Sequence, residues 1–349
     1  MKSRVTLKEI ARRADLHFTT VSMALRGDHR INAKTRARVE SLAEKMGYVP
    51  DPMLKALSAY RTSSRPHAFQ ATLGWINNNP LRVNAKAKAL AEYHEGARRR
   101  ATELGYALED FWTYDPALKG ARLARVLQYR NIHGLLLAPQ PRAQTALTLP
   151  WEQFSTVTFG YSLVKPQLHA VTNHQYRTIR RALGELRALG YRRVGLWLYE
   201  EHDLRVNENW SAGFWVEYHR YPVEERVTPV FFKDLDAVDR DQFSAWLARE
   251  KPEVVITGDG RVRGWLGELK YNVPADVGLS MLSVERGDEV LSGTYENSLM
   301  VGSAAVDLLV GMLHRHERGI PEVPQWVLVD SVWYPGTTLR RLRAAEPQN

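Results

Sequence analysis

The chain has 349 residues and no cysteine, so it is long enough for two or three cores, and disulfides, thiolate metal sites and cysteine nucleophiles are excluded. An apolar share of 44% with 25% charged residues is that of a globular protein. No run of about 18 apolar residues and no apolar leader core occurs, so neither a membrane span nor export is expected, and the missing cysteines fit a reducing cytoplasm. The net charge of +9 is unevenly spread: residues 1–65 hold 14 Lys and Arg against 6 Asp and Glu, whereas the remaining 284 hold 34 against 33. A basic head on a neutral body points to a nucleic-acid-binding module joined to something else. A solvated basic tail would lack the helically spaced apolar residues that this head contains.

In chain order, Thr6 and Glu9 form a capping box for a first helix with Leu7, Ile10, Ala11 and Ala14 on one face. Asp15-Leu16 make a turn, and a second helix runs from about His17 to Arg26, with Val21, Ala24 and Leu25 inward and Gly27 as its stop. Two short helices with the small Ala11 at their crossing describe a helix-turn-helix, in which the start of the second helix reaches base edges in the major groove. Asn32 caps a third helix to Lys45 with Val39, Leu42, Ala43 and Met46 inward, and Gly47-Tyr48-Val49-Pro50 end it.

The run from Val5 to Asp51 resembles the headpiece of the lactose-repressor (LacI/GalR) family of transcription regulators. The matching elements are Thr6–Ala11, Thr20-Val21-Ser22, Lys34–Val39 and Gly47–Pro50, in order and at family spacing. The resemblance implies base reading from His17, Phe18, Thr19 and Met23. The family often carries Arg or His where Met23 stands and Asn where Arg26 stands. Met and Phe can make only apolar contacts to bases, so readout would lean on His17, Thr19, Arg26 and DNA shape. Thr20 and Ser22 are expected at phosphates, and Thr6, Arg30, Asn32, Lys34, Thr35, Tyr48 and Lys55 complete the expected DNA-facing set. The resemblance also implies a hinge helix after Pro50, with Leu57 at the position that wedges into the minor groove. Leu54 and Leu57 would otherwise be apolar linker residues packing on the body.

Past the polar linker at 62–67, short apolar runs alternate with amphipathic ones. Strands are expected at 71–77, 107–112, 134–138, 156–160, 194–199, 228–232, 254–257, 278–282 and 326–332. Helices are expected at 86–104, 117–129, 174–189, 209–220, 240–249, 261–271 and 299–318. This alternation implies parallel sheets wrapped by helices, with a ligand at the strand C-terminal ends between two lobes. The resemblance extends, more loosely, to about residue 340. It implies a body like that of a periplasmic sugar-binding protein, two doubly wound α/β lobes behind the all-α head. The expected domains are a headpiece at 1–50, a hinge and linker at 51–67, a body at 68–340 and a frayed tail at 341–349. Within the body the family's three lobe crossings would fall near Ser162, Glu285 and Pro321, giving an N-lobe of 68–161 with 286–320 and a C-lobe of 162–285 with 321–340.

Other motifs carry less. Gly258–Gly264 has the wrong spacing and position for a dinucleotide loop and reads as a turn. His314-Arg315-His316 suits a helix C-terminus, and no metal set accompanies it. Arg98–Arg100 reads as a solvated helix face. No catalytic arrangement has local sequence support, so the chain is not expected to be an enzyme and needs no cofactor.

The resemblance implies an effector site that departs from the sugar-responsive pattern. The family's Arg, Asn-Asp and Asp positions are matched by Trp210 (three residues before Gly213), Gly258-Asp259 and Ser283, and only Asp259 is retained. Trp75, Trp210 and Trp265 could stack on a ligand, with Asn77, Asn78, Asn173 and Asn207 as polar partners, or these tryptophans could belong to the lobe cores. The sequence therefore reads as a cytoplasmic, nucleoid-associated homodimeric repressor. It would bind a pseudo-palindromic operator under control of a neutral, sugar-like effector. The competing reading is an α/β enzyme or solute-binding protein with an incidental basic head.

Overall fold

The computed structural model describes residues 5–25, 31–46, 48, 69–80, 88–118, 121–234 and 238–342. Arg26, Gly27, Arg30, Lys55, Leu57 and the whole of 51–67 lie outside them, as do residues 343–349. The chain divides into a unit at residues 1–68 and a second over 69–349.

The first unit contains α1 (Leu7–Ala14), α2 (Phe18–Ala24) and α3 (Ala33–Lys45). Ile10, Ala11, Val21, Ala24, Val39 and Ala43 form its core, flanked by Leu7, Leu25, Leu42 and Met46, as the helical spacing predicts. The capping box forms, with Thr6 N donating to Glu9 Oε2 at 2.7 Å and Glu9 N to Thr6 Oγ1 at 3.4 Å. Arg38 Nη2 donates to Ala14 O at 2.6 Å and so ties α3 to the end of α1.

The second unit has two six-stranded sheets. The N-lobe sheet is built from β1 (Ala71–Asn77), β2 (Tyr106–Trp112), β3 (Gly134–Leu137), β5 (Ser155–Phe159), β7 (His169–Asn173) and β13 (Trp326–Val329). All are parallel, in the order β13-β7-β5-β3-β1-β2. A short pair, β4 (Thr145–Ala146) with β6 (Leu163–Lys165), stands beside it. The C-lobe sheet is built from β8 (Val194–Tyr199), β9 (Val230–Phe232), β10 (Val254–Thr257), β11 (Gly278–Met281), β12 (Ser292–Tyr295) and β14 (Val332–Tyr334). Its order is β14-β12-β11-β10-β8-β9, and only β14 runs antiparallel.

A parallel sheet needs both faces covered. On the N-lobe, α4 (Lys88–Glu103) and α11 (Ser298–Arg315) cover one face and α5 (Ala121–Tyr129) the other. On the C-lobe, α6 (Gln175–Ala188) and α8 (Asn209–Tyr218) cover one face, α9 (Arg240–Glu250) and α10 (Arg261–Glu268) the other. Helix α11 is long and apolar enough to cross a membrane by composition, which the sequence reading overlooked. Its Val301, Ala305, Val306, Leu309 and Val310 are buried in the N-lobe core. Gly96 of α4 and Gly302 of α11 lie where the two helices meet. A Cβ on Gly96 would strike the Leu299 carbonyl, and one on Gly302 would strike that of Tyr93.

The lobe crossings differ from expectation in one direction. Strand β7 still belongs to the N-lobe sheet and α6 to the C-lobe, so the first crossing is at His174 rather than Ser162. Strand β12 belongs to the C-lobe and α11 to the N-lobe, which puts the second at 296–297 rather than Glu285. The expected strand 326–332 is two strands in different sheets, and the third crossing is at Asp330-Ser331 rather than Pro321. The missed strands explain the shift. Strand β7 reads His-Ala-Val-Thr-Asn and β12 Ser-Gly-Thr-Tyr, so both lack the aliphatic run of a buried parallel strand, yet both are wholly buried. Nor is 341–342 frayed: Leu342 N donates to Leu189 O at 2.8 Å.

Candidate nucleic-acid interface and ligand cleft

On the head, the start of α2 presents His17, Phe18 and Thr19 to solvent, with Phe18 42% exposed. His17 is the N-cap: its Nδ1 accepts from Thr19 N at 3.5 Å and lies 2.8 Å from Thr19 Oγ1. The ring is thereby held over the first turn with Nε2 turned away from the cap. Thr20 and Met23 are half-buried. Ser22, expected at a phosphate, is only 6% exposed. Thr6 is exposed, but its hydroxyl is engaged by Glu9 at 2.9 Å. The same hydrogen bonds hold the Glu9 carboxyl below its ordinary pKa. Asn32 Oδ1 accepts from Thr35 N at 2.8 Å and caps α3, whose exposed Lys34 follows. Tyr48 packs half-buried on the core.

In the body, the strand ends of the two sheets bring together residues from both lobes. Gln140, three residues beyond β3, is the centre of a hydrogen-bonded knot. Its N donates to Ser162 Oγ at 2.9 Å, its Oε1 accepts from Asn78 Nδ2 at 2.9 Å, and its carbonyl accepts from Arg205 Nη2 at 3.1 Å. Arg205 belongs to α7 (Glu200–Arg205) on the C-lobe, so this last bond joins the lobes. A second joining bond runs from Ala143 N to Glu201 Oε1 at 2.9 Å.

The Nε of Arg205 is buried without a hydrogen-bond partner among the described residues. The carboxyl of Glu296, just after β12, is withdrawn from water. That desolvation pushes it up to about 7, while the charge of Arg205 works against the shift. His202 is pushed down by burial first and by Arg205 second. Burial also raises the phenol of Tyr93, with the charge of Glu296 adding to it. Where the lobes meet there are thus a buried guanidinium N–H without a partner among the described residues and a desolvated carboxyl.

The effector residues expected from sequence scatter. Trp75 is 1% exposed and sits in the N-lobe core, its ring 5.0 Å from His94 edge-on and 5.3 Å from Phe159. Trp210 is buried in the C-lobe core, its backbone N–H donating to Asp203 Oδ1 at 3.2 Å while its indole N–H has no partner among the described residues. Both rings belong to lobe cores. Asn77 turns its own loop, its Oδ1 accepting from Asn79 N and Nδ2 at 3.0 Å each. Asn78 joins the Gln140 knot and also accepts from Thr113 Oγ1 at 2.7 Å. Asn173 ties chain crossings: its Nδ2 donates to Glu296 O at 3.1 Å and Val329 O at 3.0 Å, and its Oδ1 accepts from Thr178. Asp259 is taken up by its own helix, accepting from Arg261 N at 3.0 Å and from the Arg261 guanidinium at 2.8 Å. Ser283 is exposed, and Asn207 lines a separate groove beside β13.

Residues 6–51 match the family model described as "Bacterial regulatory proteins, lacI family". The head is therefore a lacI-family DNA-binding domain, and the relatives that match the chain are transcriptional regulators. It is 25% identical over 338 residues to the HTH-type transcriptional regulator PtxS of Pseudomonas plecoglossicida, covering 96% of this chain and 82% of that one. Its fold matches the lac repressor dimer solved with operator and the anti-inducer ONPF, at a TM-score of 0.54 and 16% identity, over 97% of this chain and all of the other. A solved CelR–cellobiose complex aligns at a TM-score of 0.55 and 15% identity, over 96% and 100%.

In the body, the sequence pattern does not single out Gln140, Arg205 and Glu296. Gln140 follows a correctly expected strand and was reachable from the rule that ligands gather at strand C-terminal ends. Glu296 follows β12 and Arg205 ends α7, neither of which the hydrophobic pattern revealed.

Proposed function

We propose that this regulator binds a pseudo-palindromic operator as a homodimer in the cytoplasm, on the nucleoid, and that a small molecule held between the lobes changes its operator affinity. The observation that carries the DNA-binding half is the head itself: residues 1–65 hold 14 Lys and Arg against 6 Asp and Glu, and the three-helix core within them presents His17, Phe18 and Thr19 from the start of α2. Those residues, with Met23 and Arg26, would read bases, while Thr20, Arg30, Lys34 and Lys55 would meet phosphates and Leu57 would wedge into the minor groove. A repressor dimer of the same fold on its operator supports this reading.

The effector half rests on Arg205 and Glu296. An uncharged polyhydroxy compound would meet both: its hydroxyls exchange hydrogen bonds with the carboxyl, protonated or not, and accept from the guanidinium. The solved CelR–cellobiose complex supports a sugar-like occupant. Linkage does the rest. A ligand that prefers one lobe arrangement favours it in proportion to that preference, and the arrangement sets the spacing of the two heads.

The test is a gel shift of the full chain on DNA from upstream of its own gene. Specific affinity is expected to fall about a thousandfold or more between about 50 and 200 mM salt, because each neutralised phosphate releases counterions. A flat salt response, or equal affinity for random DNA at every salt concentration, overturns the proposal.

A further inference from the structure

We infer that the groove beside β13 is a second ligand site, for an uncharged molecule with a flat ring and a hydrogen-bonding edge. It is a cavity of about 430 Å³, a size in which small ligands are commonly held, roughly 300–1,000 Å³. Neither Arg205 nor Glu296 lines it, so it is distinct from the cleft.

Its platform is aromatic. The rings of Tyr161 and Trp326 stack at 4.6 Å and 18°, and Trp326 remains 43% exposed. Strand β13 is a sheet edge that alternates as such strands do, with Val327 and Val329 turned to the core. The outward positions of an edge strand normally hold polar residues. Here they hold Trp326 and Leu328, and both line the groove.

Polar groups stand around this platform. Thr158 lines the groove, is 3% exposed, and has a hydroxyl with no hydrogen-bond partner among the described residues. An unpaired buried hydroxyl is costly, and a ligand donor or acceptor would relieve it. Gln167 and Asn207 add amides from opposite lobes, Asn207 being exposed with a φ of 57°. None of the ten lining residues carries a charge. A charged ligand would be buried against no counterion, which is unfavourable. Stacked rings, one unsatisfied hydroxyl and flanking amides thus select a neutral ring with an amide or hydroxyl edge. An occupant would touch Asn207 of one lobe and Leu328 of the other, two residues before the third crossing.

The probes are two matched pairs that differ in charge: benzamide against benzoate, and nicotinamide against nicotinate. Saturation-transfer NMR on the full chain reads their binding. The amides are expected to bind saturably and the carboxylates at least about tenfold more weakly. Trp326→Ala is expected to abolish amide binding. Thr158→Val, nearly isosteric, is expected to weaken it about threefold to tenfold without lowering the melting temperature, because the hydroxyl it removes bonds nothing. Thr158→Val keeps the test valid should Trp326→Ala fail to fold. Absence of amide binding, equal binding of the carboxylates, or affinity unchanged in both variants overturns the site. So does a change of oligomeric state in Trp326→Ala with amide binding intact, which would make this face a contact between copies of the chain.

Discussion

The two lobes carry six-stranded sheets of the same general plan, yet they fill the layer above the sheet in opposite ways. The N-lobe brings α4 and α11 together at Gly96 and Gly302, with Ala97, Ala101 and Ala305 in the same core, so backbone meets backbone. The C-lobe fills the equivalent space with rings. Trp197 of β8 has its centroid 5.0 Å from Phe243, 5.5 Å from Trp246 and 5.5 Å from Phe232. Close helix crossing and aromatic filling both reach interior packing density. They fail to opposite substitutions: the first cannot grow and the second cannot shrink.

The largest expected effect is in the N-lobe. Gly302→Val sets branched carbons against the Tyr93 carbonyl and the Ala97 amide, and no rotamer removes a Cβ clash with backbone. Destabilisation of more than about 4 kcal/mol is expected, or no folded protein at all. Urea unfolding of the full chain measures it, and a loss under 1 kcal/mol would show that the crossing is not tight. Next is Trp197→Ala in the C-lobe, which leaves a ring-sized void among three aromatic neighbours. A loss of about 3–4 kcal/mol is expected. The reverse ranking of the two variants would break the comparison.

The third prediction tests the cleft where the lobes meet. Glu296 is raised to about 7 from a model-compound value of 4.5 by burial, with Arg205 opposing. Because the folded pKa is the higher one, folding favours the protonated acid. The cost of ionisation is absent below about pH 4.5, grows from there, and is full once the pH exceeds the folded value near 7. Glu296→Gln is therefore expected to match the parent near pH 4 and to be more stable by about 2–3 kcal/mol at pH 8. Melting curves across pH on the ligand-free chain measure the difference. A constant offset would mean that the carboxyl is well solvated.

How much of this was legible in the sequence depended on where the periodicity was strong. The three helices of the head were legible because they are short and amphipathic and two begin at the recognisable caps Thr6 and Asn32, whereas the cap at His17 is visible only in the structure. Strands β1, β8 and β10 match the sequence bounds because each is a bounded apolar run. Strands β7 and β12 were invisible because their buried positions are filled by His, Thr, Asn, Ser and Gly that are satisfied only by tertiary contacts. His169 Nδ1 accepts from Gln325 N, and Thr294 Oγ1 donates to Leu282 O. The cleft was obscured for the same reason, since Glu296 and the first and second crossings hang on those strands. The tryptophans misled differently. A ring near a strand end suits a core or a ligand equally well by sequence, and Trp75 and Trp210 belong to cores.

Asn173 shapes the mechanics of the whole body. It lies at the first crossing and donates to the backbone of the second at Glu296 and of β13, at the edge of the third, at Val329. His174 N adds a bond to Val329 O at 2.9 Å, and Asn297 Nδ2 one to Asp330 O at 2.6 Å. Three connections fastened together at one place act as a pivot rather than as three independent tethers. Sliding of one lobe past the other would have to break this cluster, whereas rotation about it leaves the bonds intact. The displacement of any atom then grows in proportion to its distance from Asn173. Were the proposed ligand to draw the lobes together beside Glu296, even a small closure would be amplified at the far ends of both lobes, by leverage alone.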